Sequence, residues 1–145
     1  MMDKNMSARQ YLSQAYRLDE RINSKLEQLA QLKCMATSIS SNLSDVYVQS
    51  SHNDHHLEDT ILKIVEQEKE IDSEVDALLD LKADIRHTID MVDDIDLQLI
   101  LQKRYLMYED WSQISVKMNI SAQHTFRLHN KALMEIDRIL KLESK

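Results

Sequence analysis

Glycine and proline are both absent from this chain of 145 residues. Ordinary usage would supply about ten glycines and about seven prolines in a chain of this length. Glycine-rich phosphate loops and the tightest hairpin turns therefore lack their usual residues. Leucine, isoleucine, lysine, glutamate, aspartate and glutamine are plentiful instead. This composition predicts an all-α protein.

Cysteine and long apolar runs are also scarce. The single cysteine, Cys34, excludes an intrachain disulfide and a site built from several thiolates. The first ten residues, MMDKNMSARQ, lack the apolar core of a signal peptide, and no run is long enough to suggest a membrane span. We expect a cytoplasmic protein with no membrane contact.

Two apolar seams with alternating three- and four-residue spacing run through the first two thirds of the chain. The first seam has Lys25 in one polar slot and includes Tyr11, Ala15, Leu18, Ile22, Leu29, Leu32, Ala36, Ile39 and Leu43. The second has Glu68 and Lys82 in phase and includes Leu57, Ile61, Ile64, Ile71, Val75, Leu78, Ile85, Ile89 and Val92. The spacing predicts a long antiparallel, coiled-coil-like hairpin over residues 1–93, which serves as an interaction or dimerisation arm.

The polar segment Ser44–His56 interrupts this periodicity and is predicted to be the connector. Its histidines, His52, His55 and His56, lie beside acidic residues and could in principle bind zinc or nickel. A solvated polar loop that leads to a helix cap is the preferred interpretation, so we expect no metal and no cofactor. The many carboxylates form solvated helix faces, and the sequence does not point to an enzyme.

The stretch Trp111–Leu133 has the pattern of helix, tight turn and helix. Trp111, Ile114 and Met118 recur at helical spacing, and the apolar pattern restarts in a new phase after Asn119-Ile120-Ser121. Asparagine tolerates the left-handed backbone of a short turn, and a serine hydroxyl caps the following helix. A support helix, capped by Asp94, is predicted to bury Ile95, Leu97, Ile100, Leu101 and Tyr105. The pattern favours a DNA-binding helix-turn-helix over an ordinary helical corner.

In the second helix of this pair, the spacing predicts an inward face of Thr125, Leu128, Ala132, Leu133 and Ile136. The remaining positions, His129 among them, are assigned to other faces. Gln123 and Arg127 have the chemistry to read adenine and guanine, and His124, Lys117, Lys131 and Arg104 suit phosphate. Trp111 is expected to anchor the small core.

The net charge of −7 is unevenly distributed. Residues 94–145 contain eight Lys/Arg against seven Asp/Glu, whereas the rest of the chain contains ten against eighteen. A near-neutral module of this kind is expected to bind DNA weakly and in a salt-sensitive way.

The string RYLMYEDWSQISVKMNISAQHTFRLHNKAL resembles sigma-70 region 4. With YLSQAYRLDERINSKLEQL near its start, the chain is similar to a family of uncharacterised helical proteins encoded by phages and prophages of Gram-positive bacteria. The resemblance implies a helical N-terminal part joined to a region-4-like helix-turn-helix, over residues 94–145, and a relation to phage late-operon transcription regulators. The chain departs from the pattern at Asn119, where glycine is usual, and at Thr125, where valine or isoleucine usually packs. Ala122 and Phe126 replace polar residues that contact DNA.

The leading hypothesis is a phage-type DNA-binding regulator of transcription whose hairpin forms a homo-oligomer or contacts RNA polymerase. The alternative is a coiled-coil interaction module, an adaptor or an inhibitor of another protein, without sequence-specific DNA binding.

Overall fold

The structure is a computed structural model that describes residues 6–45 and 50–143. Within these ranges the chain is all-helical and has no strand. The helices are α1 (Ala8–Asp45), α2 (Ser50–Asp90), α3 (Ile95–Leu101), α4 (Trp111–Met118) and α5 (Ala122–Glu143). A π-helical turn, Gln102–Leu106, continues α3 directly. The predicted all-α class is confirmed.

Polar side chains cap the starts of α1, α3 and α4, and the cap of α3 by Asp94 is one that the sequence predicts. At the start of α1, the Ser7 hydroxyl accepts a hydrogen bond from the Gln10 amide (3.3 Å), and the Gln10 side chain accepts one from the Ser7 amide (3.1 Å). Asp94 accepts hydrogen bonds from the first free amides of α3. Asp110 and Gln113 form a reciprocal capping box at the start of α4. These caps satisfy amides that have no partner inside the helix.

The chain divides into two compact units. Unit 1 comprises residues 1–18 and 78–145, and unit 2 comprises residues 19–77. The division differs from the predicted split into residues 1–93 and 94–145, because the first turns of α1 pack with the C-terminal helices. The amide of Ala8 donates to the Asp137 carboxylate (2.8 Å), and the Tyr11 hydroxyl bonds Asp84 (2.8 Å) and Thr88 (2.9 Å).

The core of unit 1 is formed by residues from all five helices. Its fully buried side chains include Tyr11, Leu12, Ile85, Ile89, Val92, Ile100, Leu101, Ile114 and Ile136. On the support helix α3, Leu97, Ile100 and Leu101 are buried as predicted, and Tyr105 in the following turn is buried as well. Ile95 is a correction to the prediction, since it is 71% exposed. It is the first residue of α3, directly after the cap, and points away from the face that Leu97 and Ile100 share.

In unit 2, segments of α1 and α2 pair in antiparallel directions. Lys25 contacts both Glu70 (2.6 Å) and Glu74 (2.7 Å), while Lys33, two turns further along α1, contacts Glu68 (3.2 Å). Lys25 is the predicted polar slot of the first seam, and of its two partners in the second helix Glu74 is the more buried. The opposite charges raise the pKa of Lys25 and lower that of Glu70, mainly through their hydrogen bond.

The second seam is shifted by one residue at alternate positions. Ile61 and Glu68 were predicted to face inward, but Ile61 is 46% exposed and Glu68 is exposed. Thr60 is buried instead, with its hydroxyl bonded to the His56 carbonyl (2.8 Å), and Gln67 is half-buried. The pair Thr60 and Gln67 and the pair Ile61 and Glu68 both fit a three-four spacing with the rest of the seam. The prediction chose Ile61 because it is apolar, and the structure buries the other pair.

The predicted connector Ser44–His56 is also corrected. α1 continues to Asp45 and α2 begins at Ser50, so most of the predicted connector is helical. Residues 46–49 lie outside the described residues. Throughout the described part of the chain, no helix is both long enough and apolar enough to span a membrane.

Candidate nucleic-acid interface

The turn between α4 and α5 has the geometry that the sequence predicts. Asn119 adopts the left-handed conformation (φ 55°, ψ 49°) and ends α4. The amide of Ile120 donates back to the Ser115 carbonyl (3.1 Å), which closes the turn. The Ser121 hydroxyl accepts from the His124 amide (3.1 Å) and caps α5. Two helices are thus joined by only three residues, in the absence of glycine.

Thr125 fixes the packing of α5 against α4. It is fully buried, and its hydroxyl lies 2.8 Å from the Ser115 hydroxyl on α4 and 2.8 Å from the Ser121 carbonyl. A buried hydroxyl must be hydrogen-bonded to avoid a desolvation cost, and both contacts meet that need. Thr125 therefore joins the two helices by a polar contact. The resembled motif usually has a branched apolar residue at this position.

The outward face of α5 carries the predicted base-reading residues. Gln123, Arg127 and Lys131 are all exposed and lie four residues apart, so they form one stripe along the N-terminal half of the helix. Their side chains make no hydrogen bond or ion pair with any residue that the structure describes. His124 is half-exposed beside this stripe. The stripe can therefore meet a partner without breaking an internal contact.

The other two predicted phosphate-binding residues have internal partners. Lys117 on α4 forms an ion pair with Glu109, which is buried. Arg104 donates to the Glu109 carbonyl (3.0 Å), and its guanidinium lies 4.5 Å from the centre of the Trp111 ring. Both cations hold the segment before α4 in place, so they are less available than the α5 stripe.

His129 corrects the predicted outward set, because it is buried in the core of unit 1. Its Nε2 lies 2.6 Å from the Tyr105 hydroxyl, and its ring packs against Trp111 with 4.6 Å between ring centres. Burial, together with the positive charges of Arg9 and Arg104, lowers the pKa of His129 to about 4. Burial also raises the pKa of Tyr105, so both rings are neutral at pH 7.

The inward position of His129 could have been predicted from its spacing to Thr125, Ala132 and Ile136. These four residues are buried and follow one another at intervals of four, three and four. Trp111, predicted to anchor the core, is half-exposed and contacts Phe126 (5.2 Å between ring centres) as well as His129. It therefore links the start of α4 to α5 at the edge of the core.

The histidine-rich segment forms no metal-binding group among the side chains that the structure describes, where no three His, Cys, Asp or Glu residues converge. His55 lies 4.0 Å from Glu58 as an exposed pair one turn apart. The side chain of His52 lies outside the described residues, so the predicted cluster is tested only in part.

A model of the family described as protein of unknown function (DUF1492) matches residues 37–137, which is more than half of the chain. The chain belongs to this family. The match includes the whole of α2, α3 and α4 and most of α5, so the turn and the α5 stripe lie inside the family region. No curated protein and no solved structure matches the chain.

Proposed function

We propose that the protein is a phage-type transcription regulator that binds DNA through α4 and α5 as a helix-turn-helix. In this proposal α5 enters the major groove and α4 crosses the DNA backbone. The observation that supports it most is the stripe of Gln123, Arg127 and Lys131, which is exposed, has no partner among the described residues and follows a glycine-free left-handed turn.

The chemistry of the stripe suits an operator sequence. Gln123 can pair with the two groups of adenine exposed in the major groove, and Arg127 can do the same with guanine. Lys131 and His124 suit contacts with phosphate, which add affinity without specificity. Lys117 and Arg104 take a smaller part, because they already bind Glu109. The exposed Phe126 replaces a polar contact of the resembled motif and can pack on a thymine methyl group.

The test is a gel-shift titration of the full chain with fragments of its genomic neighbourhood at low and at moderate salt. We expect a specific complex whose affinity falls as salt rises, because phosphate contacts release counterions. The double variant Gln123→Ala/Arg127→Ala should weaken specific binding by roughly tenfold or more, since each base pair contact contributes about 1–3 kcal/mol.

Arg138→Ala provides a matched control. Arg138 lies on the same helix about three turns beyond Arg127 and pairs with Glu135 (2.9 Å). Its loss removes the same charge and should leave specific affinity nearly unchanged. Equal binding by the double variant and the unaltered protein would refute the proposed recognition site.

The second candidate function is a protein-interaction module, and the exposed apolar residues of unit 2 support it. Leu26, Met35, Ile61, Leu62 and Val65 are all more than two fifths exposed. Exposed apolar side chains of this kind suit contact with a second copy of this chain or another helical protein, including a subunit of RNA polymerase. Binding of purified RNA polymerase that survives the Gln123/Arg127 changes, together with no specific DNA complex, would favour this function over the first.

A further inference from the structure

Unit 1 has an open groove lined by arginines and aromatic residues, and it is distinct from the α5 stripe. Its volume is about 660 Å³, which is within the range of small-molecule sites. Its lining includes two arginines, Arg9 from α1 and Arg104 from the turn after α3. Asp110 also lines it, but this carboxylate already caps α4 by accepting from the Gln113 amide (2.8 Å).

Both arginines line this groove and have hydrogen-bonding capacity that internal contacts leave unused. Arg9 is exposed and makes no hydrogen bond or ion pair within the described part of the chain. Arg104 uses one nitrogen to bond the Glu109 carbonyl, and its guanidinium lies 4.5 Å from the centre of the Trp111 ring, so its remaining N–H groups are those available to a ligand. Both arginines line the same groove as Tyr105 and His129, and their positive charges contribute to lowering the pKa of His129. In a chain with a net charge of −7, two arginines without a carboxylate partner favour an anion.

Two aromatic pairs also line the groove. Tyr16 packs edge-on against Tyr108 (5.4 Å between ring centres), and Phe126 packs against Trp111. Tyr16 and Phe126 are each about half exposed, so part of each aromatic side chain is accessible to a ligand. The Asn130 side chain at the same groove has both hydrogen-bond donors and acceptors.

We infer that this groove binds a free nucleotide, with the base against the aromatic pairs and the phosphate between Arg9 and Arg104. A guanidinium matches phosphate with paired hydrogen bonds, and any base can stack on an aromatic ring. Duplex DNA would not use the aromatic walls, because its bases stack on one another and only its backbone could reach the groove. The inference does not depend on DNA recognition by Gln123 and Arg127.

Trp111 is the only tryptophan and lines the groove, so its fluorescence reports binding directly. The full chain is titrated with adenosine 5′-monophosphate, and the fluorescence change is checked by calorimetry in case binding is optically silent. Adenosine and ribose 5-phosphate serve as probes that lack the phosphate and the base. We expect binding of the monophosphate and at least roughly tenfold weaker binding of each partial probe.

Arg9→Ala should weaken binding by roughly tenfold, because it removes a charged hydrogen-bond donor. Arg17→Ala is the matched control, since Arg17 is also exposed on α1 in unit 1 but does not line the groove. Thermal unfolding of each variant confirms that the fold is kept. Equal affinity for adenosine, unchanged affinity in Arg9→Ala, or no heat and no fluorescence change would overturn the inference. A Trp111 response to a DNA duplex but not to the monophosphate would also overturn it and assign the groove to the DNA backbone.

Discussion

His129 is a neutral base buried beside a neutral tyrosine, and its protonation is linked to folding. Its pKa is about 4 in the folded protein against an ordinary value of 6.5. Between these values the unfolded chain binds a proton that the folded chain does not bind. The free energy of unfolding therefore falls as the pH drops from about 6.5 towards about 4, and this contribution levels off below that.

The full effect corresponds to roughly 3 kcal/mol of stability, since each pKa unit is worth about 1.4 kcal/mol. Urea unfolding of the protein and of His129→Gln, each at about pH 7 and about pH 4.5, measures it. We expect the variant to be less stable at neutral pH but to lose less stability on acidification, because glutamine does not titrate. His124→Gln, on the half-exposed side of the same helix, should retain the full acid sensitivity. An identical acid-induced loss in His129→Gln would contradict the assignment.

At the scale of the elements, the α4–α5 turn depends on one backbone conformation. Asn119 is one of two non-glycine residues with positive φ among the described residues, the other being Tyr108. The left-handed conformation costs a residue with a Cβ atom about 1–2 kcal/mol, and asparagine is among the residues that it costs least. Asn119→Ala should therefore lower the free energy of unfolding by about 1 kcal/mol.

Asn119→Gly should leave the free energy of unfolding within a few tenths of a kcal/mol of the parent value. Glycine adopts positive φ without a steric cost, but it loses more conformational entropy on folding, and the two effects oppose each other. Chemical unfolding of the three proteins provides the comparison. If alanine and glycine had the same effect, the left-handed conformation would not be the reason for asparagine at this position.

The sequence was sufficient to predict those helix ends that depend on contacts between neighbouring residues. Asp94 and Ser121 cap helices as predicted, because the carboxylate or hydroxyl of each reaches an amide two or three residues ahead. The turn at Asn119 follows from the same kind of local contact. Such interactions span a few residues and can be read from the sequence directly.

Contacts between distant segments could not be predicted in the same way. A three-four spacing fits two faces of α2 that differ by one residue at alternate positions, and only the packed structure selects Thr60 over Ile61. The groove was missed for a related reason, because Arg9 and Arg104 are 95 positions apart in sequence and meet only in the fold. The stripe of Gln123 and Arg127 lies on the predicted exposed side of α5, and its binding to DNA stays a prediction.

At the scale of the whole molecule, the exposed apolar residues of unit 2 bear on its oligomeric state. Leu32, Ile39, Leu57 and Ile64 in the two seams are only half-buried, and Ile61, Leu62 and Val65 are exposed beside them. Two paired helices bury one side of each seam, so a further helix pair is needed to cover the rest. We therefore expect a homodimer formed through unit 2.

Sedimentation equilibrium of the full chain and of Ile61→Gln/Val65→Gln tests this. Covering these two half-exposed side chains should contribute roughly 2 kcal/mol per protomer and about 4 kcal/mol per dimer, so the variant should raise the dimer dissociation constant by roughly a thousandfold. Met134→Gln is the control, because Met134 is exposed on α5 in unit 1. Dimerisation would bring two α5 stripes to one DNA molecule, so the unit 2 variant should also bind an operator more weakly while keeping Gln123 and Arg127. A protein that is monomeric at every concentration would exclude the dimer, and each α5 stripe would then have to recognise DNA alone.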